Sequence, residues 1–315
     1  MTPRPFQPST DYPPLARLLS ATTLRPVTPA TLRAQDAELP SRGSLYAASG
    51  KPVTGFGRIR LVTADPDGEL LAYATAWRAP WTPPGDIASL VVGSAGLPPE
   101  RLLPLTDALE GWARGAGARR LLGELPDHGK ALLRLLTARG HQVDAHVRTA
   151  TARLDAVRPA TPPPGIRFGT LATTIAPQPA LQLYRLYLET LPDNPGFADA
   201  LPDFDRWYAE AVTGEGCRPD WVFTAECAGR IVGVSAARTT DDPHTCHVDY
   251  TGVLRPWRRR GLARALKTFA THRLAAQRVR TAHTEVEAAN RPMIAVNSSL
   301  GYRWGPGHYR LIKEL

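Results

Sequence analysis

Near the C-terminal end the apolar positions change period several times, and each change predicts an element. Two apolar runs, Trp221–Ala225 and Ile231–Ala237, flank Gly229 and read as strands joined by a tight turn. From His244 to Leu254 apolar and polar residues alternate, which predicts a third strand. After Gly261 the spacing becomes helical, with Leu262, Leu266, Phe269 and Ala270 on one face and an end near Gln277. Arg280–Ala288 reads as another strand, Asn290–Gly301 as a short helix closing at glycine, and His308–Leu315 as the last strand. The order ββ, β, α, β, α, β is that of a mixed α/β unit.

The same order recurs upstream. Gly68–Ala79 and Gly85–Gly93 take the strand positions, Arg101–Leu125 the helix and strand, and Lys130–Gln142 with His146–Asp155 the closing helix and strand. Arg101 falls opposite Arg258, and Gly140 opposite Gly301. Between the copies, Arg158–Gly165 carries four prolines in eight residues, which neither a helix nor a central strand tolerates. The expected organisation is a tandem duplication with domains at 1–157 and 158–315. At the helix start the copies differ: Gly261 and Ala263 in the second correspond to Pro104 and Thr106 in the first.

Composition narrows the setting. The 43% hydrophobic and 21% charged residues are those of a globular chain, and no run approaches the ~18 apolar residues of a membrane span. The start lacks a charged region followed by an apolar core, so the expectation is a cytoplasmic protein without membrane association. Cys217, Cys227 and Cys246 have no paired spacing and read as reduced thiols. A formal charge of +9 suggests an anionic partner, but the arginines that carry nearly all of it are spread along the chain. Only Lys51, Lys130, Lys267 and Lys313 are lysines.

Arg258, Arg259 and Arg260 are the clustered exception, and they lie where a strand gives way to a helix. A helix start offers unpaired amides and the positive end of the macrodipole, Gly261 removes the side chain that would block an anion, and small Ala263 keeps the first turn close to it. The arginines add charge-assisted contacts. Pyrophosphate is the anion this pattern suits.

Arg258–Ala263 resembles the Gln/Arg-x-x-Gly-x-Gly/Ala acetyl-CoA motif of the GCN5-related N-acetyltransferase superfamily, and Asn290–Tyr302 resembles that family's Asn-then-Gly-aromatic fourth helix. The resemblance covers the second half fully and the first as a worn copy, a tandem arrangement shared with mycothiol synthase. It implies two domains, each with a mixed, mostly antiparallel central sheet flanked by helices. It implies transfer of an acetyl group from acetyl-CoA, as co-substrate, to a primary amine by direct attack in the second domain. Amides from Arg258 to Ala263, Leu262 included, would hold the pyrophosphate. Val253, with Leu254 beside it at the strand end, would pair with the pantetheine arm. Asn290 would lie near that arm, with Met293 and Asn297 facing the site.

Acetyl transfer needs a base for the amine, a donor for the oxyanion and a proton for the departing thiolate. Asp249 and His247 lead the search for the base, followed by Glu285 and Glu287, and alternation puts Asp249, His247 and Thr251 on one strand face. Asp249 is the preferred base, or the anchor for the substrate ammonium, and the alternative reading is an acid paired with an arginine. Many family members carry a tyrosine four residues before the Gly-aromatic pair, whereas that position here is Asn297, which cannot donate a proton. Tyr302 or Tyr309 could substitute, although Tyr302 reads as core. A backbone amide near Val253 would hold the oxyanion. His244–His247 lacks a second ligand cluster, so no metal is expected.

The stretch Leu188–Ala211 carries Asp193, Asp203, Asp205, Phe197, Phe204, Trp207 and Tyr208, a surface suited to an amine or an amphipathic helix packed in the core. The acceptor is a small-molecule or peptide amine, and the oligomeric state is open. The rival class is a CoA-binding sensor or scaffold without catalysis. Nucleic-acid binding through Trp257 and the arginines would need a wider basic face, and none is expected.

Overall fold

The alternation and turn signals place strands and helices in a computed structural model that describes residues 2–22, 27–38, 45–46, 52–53, 57–78, 87–94, 96–154, 160–195 and 203–315. The chain divides into two units, one of residues 1–146 with 308–315 and the other of 147–307.

The first unit holds β1 (Arg4–Pro5), α1 (Tyr12–Thr22), α2 (Pro29–Glu38), β2 (Leu45–Tyr46), β3 (Pro52–Val53), β4 (Arg58–Ala64), β5 (Leu70–Trp77), β6 (Ile87–Ser94), α3 (Leu103–Gly115), β7 (Arg120–Pro126) and α4 (Lys130–Ala138). β8 (Gln142–Arg153) begins in it. Its sheet runs β1-β4-β5-β6-β7 and closes on residues 308–314 of the last strand; only β6 and β7 pair in parallel. Period-two alternation on β5 sends Ala72, Ala74 and Ala76 to a core with Leu105, Leu109 and Leu136 from α3 and α4. Tyr73 goes to the opposite face with Leu15, Leu18 and Leu32 from α1 and α2.

The second unit holds the rest of β8, then β9 (Arg167–Thr170), α5 (Pro179–Thr190), α6 (Phe204–Ala211), β10 (Cys217–Cys227), β11 (Arg230–Thr239), β12 (Thr245–Val253), α7 (Leu262–Ala276), β13 (Thr281–Glu287) and α8 (Arg291–Ser299). β14 (Arg303–Glu314) follows and contributes residues 303–307. Its strand order is β9-β10-β11-β12-β13-β8, antiparallel except for β12 beside β13. Helix α7 covers one face, where Phe269 meets Phe223 edge-on with centroids 6.1 Å apart, and α5 covers the other, where Tyr187 stacks on Tyr250 at 4.4 Å. The mixed α/β class and the mostly antiparallel sheets are as the sequence implies.

α6 bears on the double reading of Leu188–Ala211 for the part from Asp203 onward. Asp203 caps the helix by accepting the Arg206 N–H at 3.0 Å, Trp207 is buried, and Phe204, Trp207 and Tyr184 pack ring on ring. This is the core-packed amphipathic helix. Phe197 lies outside the described residues.

Candidate active site

Two parallel strands that part company make the site. β12 and β13 pair only from Thr245–Val248 to Thr281–Thr284, and beyond that point they diverge. One reason is a bulge: Ala236 of β11 faces Tyr250 while its neighbour Ala237 faces Val248, so Asp249 is an extra residue. At the closed end the Thr284 hydroxyl donates to the Val248 carbonyl at 2.9 Å. The result is a cleft of about 460 Å³ walled by β12, β13 and the starts of α7 and α8.

The bulge corrects the expected shared face. Asp249 stays with His247, whose Nδ1 is 2.7 Å from its carboxylate, but Thr251 crosses to Ser235 at 3.1 Å, on the α7 side. Tyr250 falls on the α5 side, where it meets the Thr190 hydroxyl at 2.7 Å and burial pushes its own hydroxyl up to about 12. Gly252 leaves room for both, because a Cβ there would come within 2.9 Å of the Tyr250 ring and the Thr190 oxygen.

The outer end of the cleft is a cradle of amides. Arg258 is extended, Arg259 has φ +60° and Gly261 φ +75°, a winding that turns successive N–H groups outward ahead of α7. Among the described residues no acceptor takes the amides of Arg259, Arg260, Gly261, Leu262, Ala263 or Arg264; the first amide in use is that of Ala265, which bonds the Gly261 carbonyl at 3.0 Å. α7 has no side-chain cap, so its positive end stays open, and no atom lies within 4 Å of where a Gly261 Cβ would stand. This is a fit for a polyphosphate.

Val253 extends the cradle inward. Leu254 donates to the Val232 carbonyl at 3.0 Å, so by antiparallel alternation Val253 turns its N–H and C=O away from β11 and into the gap. Its carbonyl accepts Arg258 Nε at 2.7 Å, which leaves the N–H for a ligand.

The arginines divide their work otherwise than expected. Arg258 also reaches Asp193 at 2.7 Å, and Arg255 grips the same carboxylate at 2.5 and 3.1 Å. The Arg255 and Arg258 hydrogen bonds hold Asp193 down at about 2, so it is a clamp on the loop and not a free acid. Arg260 lies over the Trp257 ring at 5.5 Å and does not line the cleft, whereas Arg259 and Arg264 do.

On the opposite wall Asn290 caps α8, accepting the Met293 N–H at 3.2 Å and donating to Asn194 at 3.0 Å, and Met293 lines the cleft. Leu254 is buried in the core and does not line it. Asn297, expected to face the site, is fully buried with neither amide atom partnered among the described residues. Tyr302 is buried off the cleft, where desolvation pushes its hydroxyl up, and Tyr309 belongs to the other unit, stacked on His146. Neither tyrosine reaches the cleft.

Of the acids, Asp249 is committed to Arg238 and His247. Glu287 accepts the Ala289 N–H. Glu285 is exposed, lines the cleft and has no ion pair or hydrogen bond among the described residues. Thr284, Asn194 and Lys267 also line the cleft and escaped the sequence reading, since nothing in their spacing marks them. No group of three His, Cys, Asp or Glu among the described residues could hold a metal ion.

In the first unit the corresponding helix starts differently. A 3-10 turn, Pro99–Leu102, runs straight into α3 and uses its amides, with Arg101 donating to Pro98 and Leu103 to Glu100. Pro104 removes another amide, and the Thr106 hydroxyl bonds back to the Leu102 carbonyl at 3.1 Å. No amide cradle forms there.

Residues 179–302, which contain the split and the amide cradle, match the Acetyltransferase (GNAT) family. Among solved structures, the GCN5-related N-acetyltransferase from Sphaerobacter thermophilus aligns with a TM-score of 0.73 at 20% identity, covering 99% of this chain and 95% of that one. The tandem GNAT protein from the clavulanic acid biosynthesis pathway aligns with a TM-score of 0.61 at 17% identity, covering 99% and 98%. No curated protein matches the chain. Residues 179–302 thus match the GNAT family, and the chain as a whole shares the fold of these structures, the tandem GNAT protein among them.

Proposed function

We propose that the protein is an acetyl-CoA-dependent N-acetyltransferase whose second unit transfers the acetyl group to a primary amine of a small molecule or peptide. The observation that carries this reading is the run of six uncommitted amides, Arg259 to Arg264, opening directly onto a split that holds an uncommitted carboxylate. The amides and the α7 dipole would hold the pyrophosphate of acetyl-CoA, with Arg259 and Arg264 adding charge. The Val253 N–H, its carbonyl being already taken by Arg258, would bind the amide-bearing arm.

Glu285 then serves as the base. Its carboxylate faces the cleft without a competing cation, so it can take the proton an attacking amine must lose, a role generally worth about 10²–10⁴ in rate. Asp249, held between Arg238 and His247, fixes the wall beside it and supplies negative potential for an incoming ammonium. The first unit, without a cradle, is structural in this reading. No helix among the described residues is long and apolar enough to cross a membrane, and the three cysteines are free. A cytoplasmic location with access to acetyl-CoA follows from the proposed activity.

The test is calorimetric titration of acetyl-CoA into wild-type and Gly261→Glu protein, followed by thioester turnover with a panel of small amines and amine-terminated peptides. One-site binding lost in the variant, with turnover for at least one amine, supports the proposal. Wild-type protein that binds no acetyl-CoA overturns it, and binding without turnover on any amine favours the sensor.

A further inference from the structure

Lys267 is a buried cation that nothing in the proposed chemistry has yet used. It is only 3% exposed, yet it lines the cleft together with Val248 and Thr284, the two residues that close the split. Among the described residues no carboxylate pairs with its ammonium and no oxygen accepts from it; the Tyr302 ring lies 5.4 Å away, the Cys246 thiol is close by, and Ser235, Thr271 and Thr284 share the cavities it lines. Beside it is a pocket of about 10 Å³ lined by Phe223, Ser235 and Tyr302, too small to shelter a counter-ion.

Burying an unpaired ammonium is costly, so its position needs an explanation. Composition sharpens the point, because this chain uses arginine almost everywhere and has four lysines in all. Arginine cannot surrender its proton, whereas a buried lysine can. Desolvation lowers the Lys267 ammonium to about 8, close enough to neutrality for the proton to leave and return.

Geometry gives the anion it would meet. The cradle fixes the phosphate end of a CoA thioester near Val253, and the split runs from there to Val248, five residues or roughly 16 Å of strand. Lys267 lies five residues into α7, about 7.5 Å along the axis past Leu262, and helical side chains lean back over the preceding turn, into this cleft. The sulfur at the inner end of the arm is the atom brought to it, and it becomes an anion when the thioester breaks.

We propose that Lys267 is a catalytic residue, the proton donor to the thiolate leaving group, in place of a hydroxyl. As the amine nitrogen bonds the carbonyl carbon and the C–S bond breaks, the electron pair passes to sulfur and Lys267 gives it a proton. The nitrogen's proton goes to Glu285, and solvent restores both groups. This assignment rests on acetyl-CoA occupying the cleft as proposed above.

The experiment needs no acceptor. CoA, with a free thiol, is titrated into wild-type, Lys267→Met and Lys267→Gln protein at pH 7 while thiolate absorbance is followed, and acetyl-CoA, without an ionisable thiol, reports occupancy by calorimetry. A free thiol ionises near ~8.5. Bound to the wild type it should be at least tenfold more ionised than in solution, and both variants should bind acetyl-CoA but lose that ionisation. A CoA thiol that titrates in the wild-type complex as it does in water overturns the assignment, even if the variants fail to fold. Absence of acetyl-CoA binding to the wild type refutes instead the occupancy on which it rests.

Discussion

Replacing Lys267 by methionine should make the protein more stable. The ammonium is fully buried, and its fall from 10.5 to about 8 corresponds to about 3 kcal/mol of destabilisation whenever the group is charged in both folded and unfolded chains. The sign follows from proton counting. Between about 8 and 10.5 the unfolded chain holds more protons than the folded one, so stability rises with pH through that window; below it the penalty is complete, and above it the penalty is gone. Methionine keeps the unbranched stem and discards the charge, and repacking of such a near-isosteric side chain costs less than about 1.5 kcal/mol. The variant should therefore gain about 2 to 3 kcal/mol at pH 7. The gain should shrink by about 2 kcal/mol at about pH 9.5, where most of the titration window has been crossed. Urea unfolding followed through the buried Trp207 and Trp221 of the second unit reads both numbers. A variant less stable than wild type at pH 7, or a difference that does not change with pH, would refute the reasoning about the buried charge.

Three other substitutions probe the cleft. Gly261→Glu puts a carboxylate on a residue with φ +75° at the mouth of the cradle; acetyl-CoA affinity measured by calorimetry should fall at least a hundredfold, while circular dichroism stays near that of wild type. Once an acceptor is found, Glu285→Gln should lower kcat/KM by about 10²–10³, whereas Asp249→Asn, whose carboxylate is already committed, should lower it less; equal losses would move the base to Asp249. Asp193→Ala releases Arg255 and Arg258 from their shared carboxylate, so hydrogen exchange at Arg259–Ala263 should quicken and acetyl-CoA affinity drop several-fold, an effect absent if the clamp is incidental.

The elements of the second unit were legible because each rests on local spacing. The strand ending at Val253, the glycine-opened helix and the short helix ending at Gly301 lie where apolar period and turn residues put them. The site was less legible because its features are tertiary. Period two put Asp249, His247 and Thr251 on one face, and a single extra residue in β12, which leaves no mark on the pattern, sent Thr251 to the other. Arg258 read as a phosphate ligand, but its partner Asp193 sits 65 residues earlier in the chain and is brought to it only by the packing of the turn after α5. Asn297 lies one helical turn after Met293 and reads as facing the cleft, yet it turns into the core. Lys267 falls among Leu266, Ala270 and Leu274, where it reads as an interruption of an apolar stripe.

That interruption connects stability with chemistry. A position on a buried helix face, in a chain whose cations are nearly all arginine, would be filled at lower free-energy cost by an apolar residue, as Leu266, Ala270 and Leu274 fill the same face. Here it holds a lysine whose ammonium weakens the fold by about 3 kcal/mol and points to where the split closes. Strain of that size commonly accompanies a site at which charge must change during a reaction. The closed end of this cleft is such a place, since a thioester is neutral when bound and its sulfur is an anion when the acyl group leaves. An ammonium there is poorly solvated before the reaction and well paired at the moment of bond breaking, the difference that accelerates a step. The same residue that lowers stability would thus lower the barrier, and Lys267→Met should separate the two effects by raising the first quantity while removing the thiolate's partner.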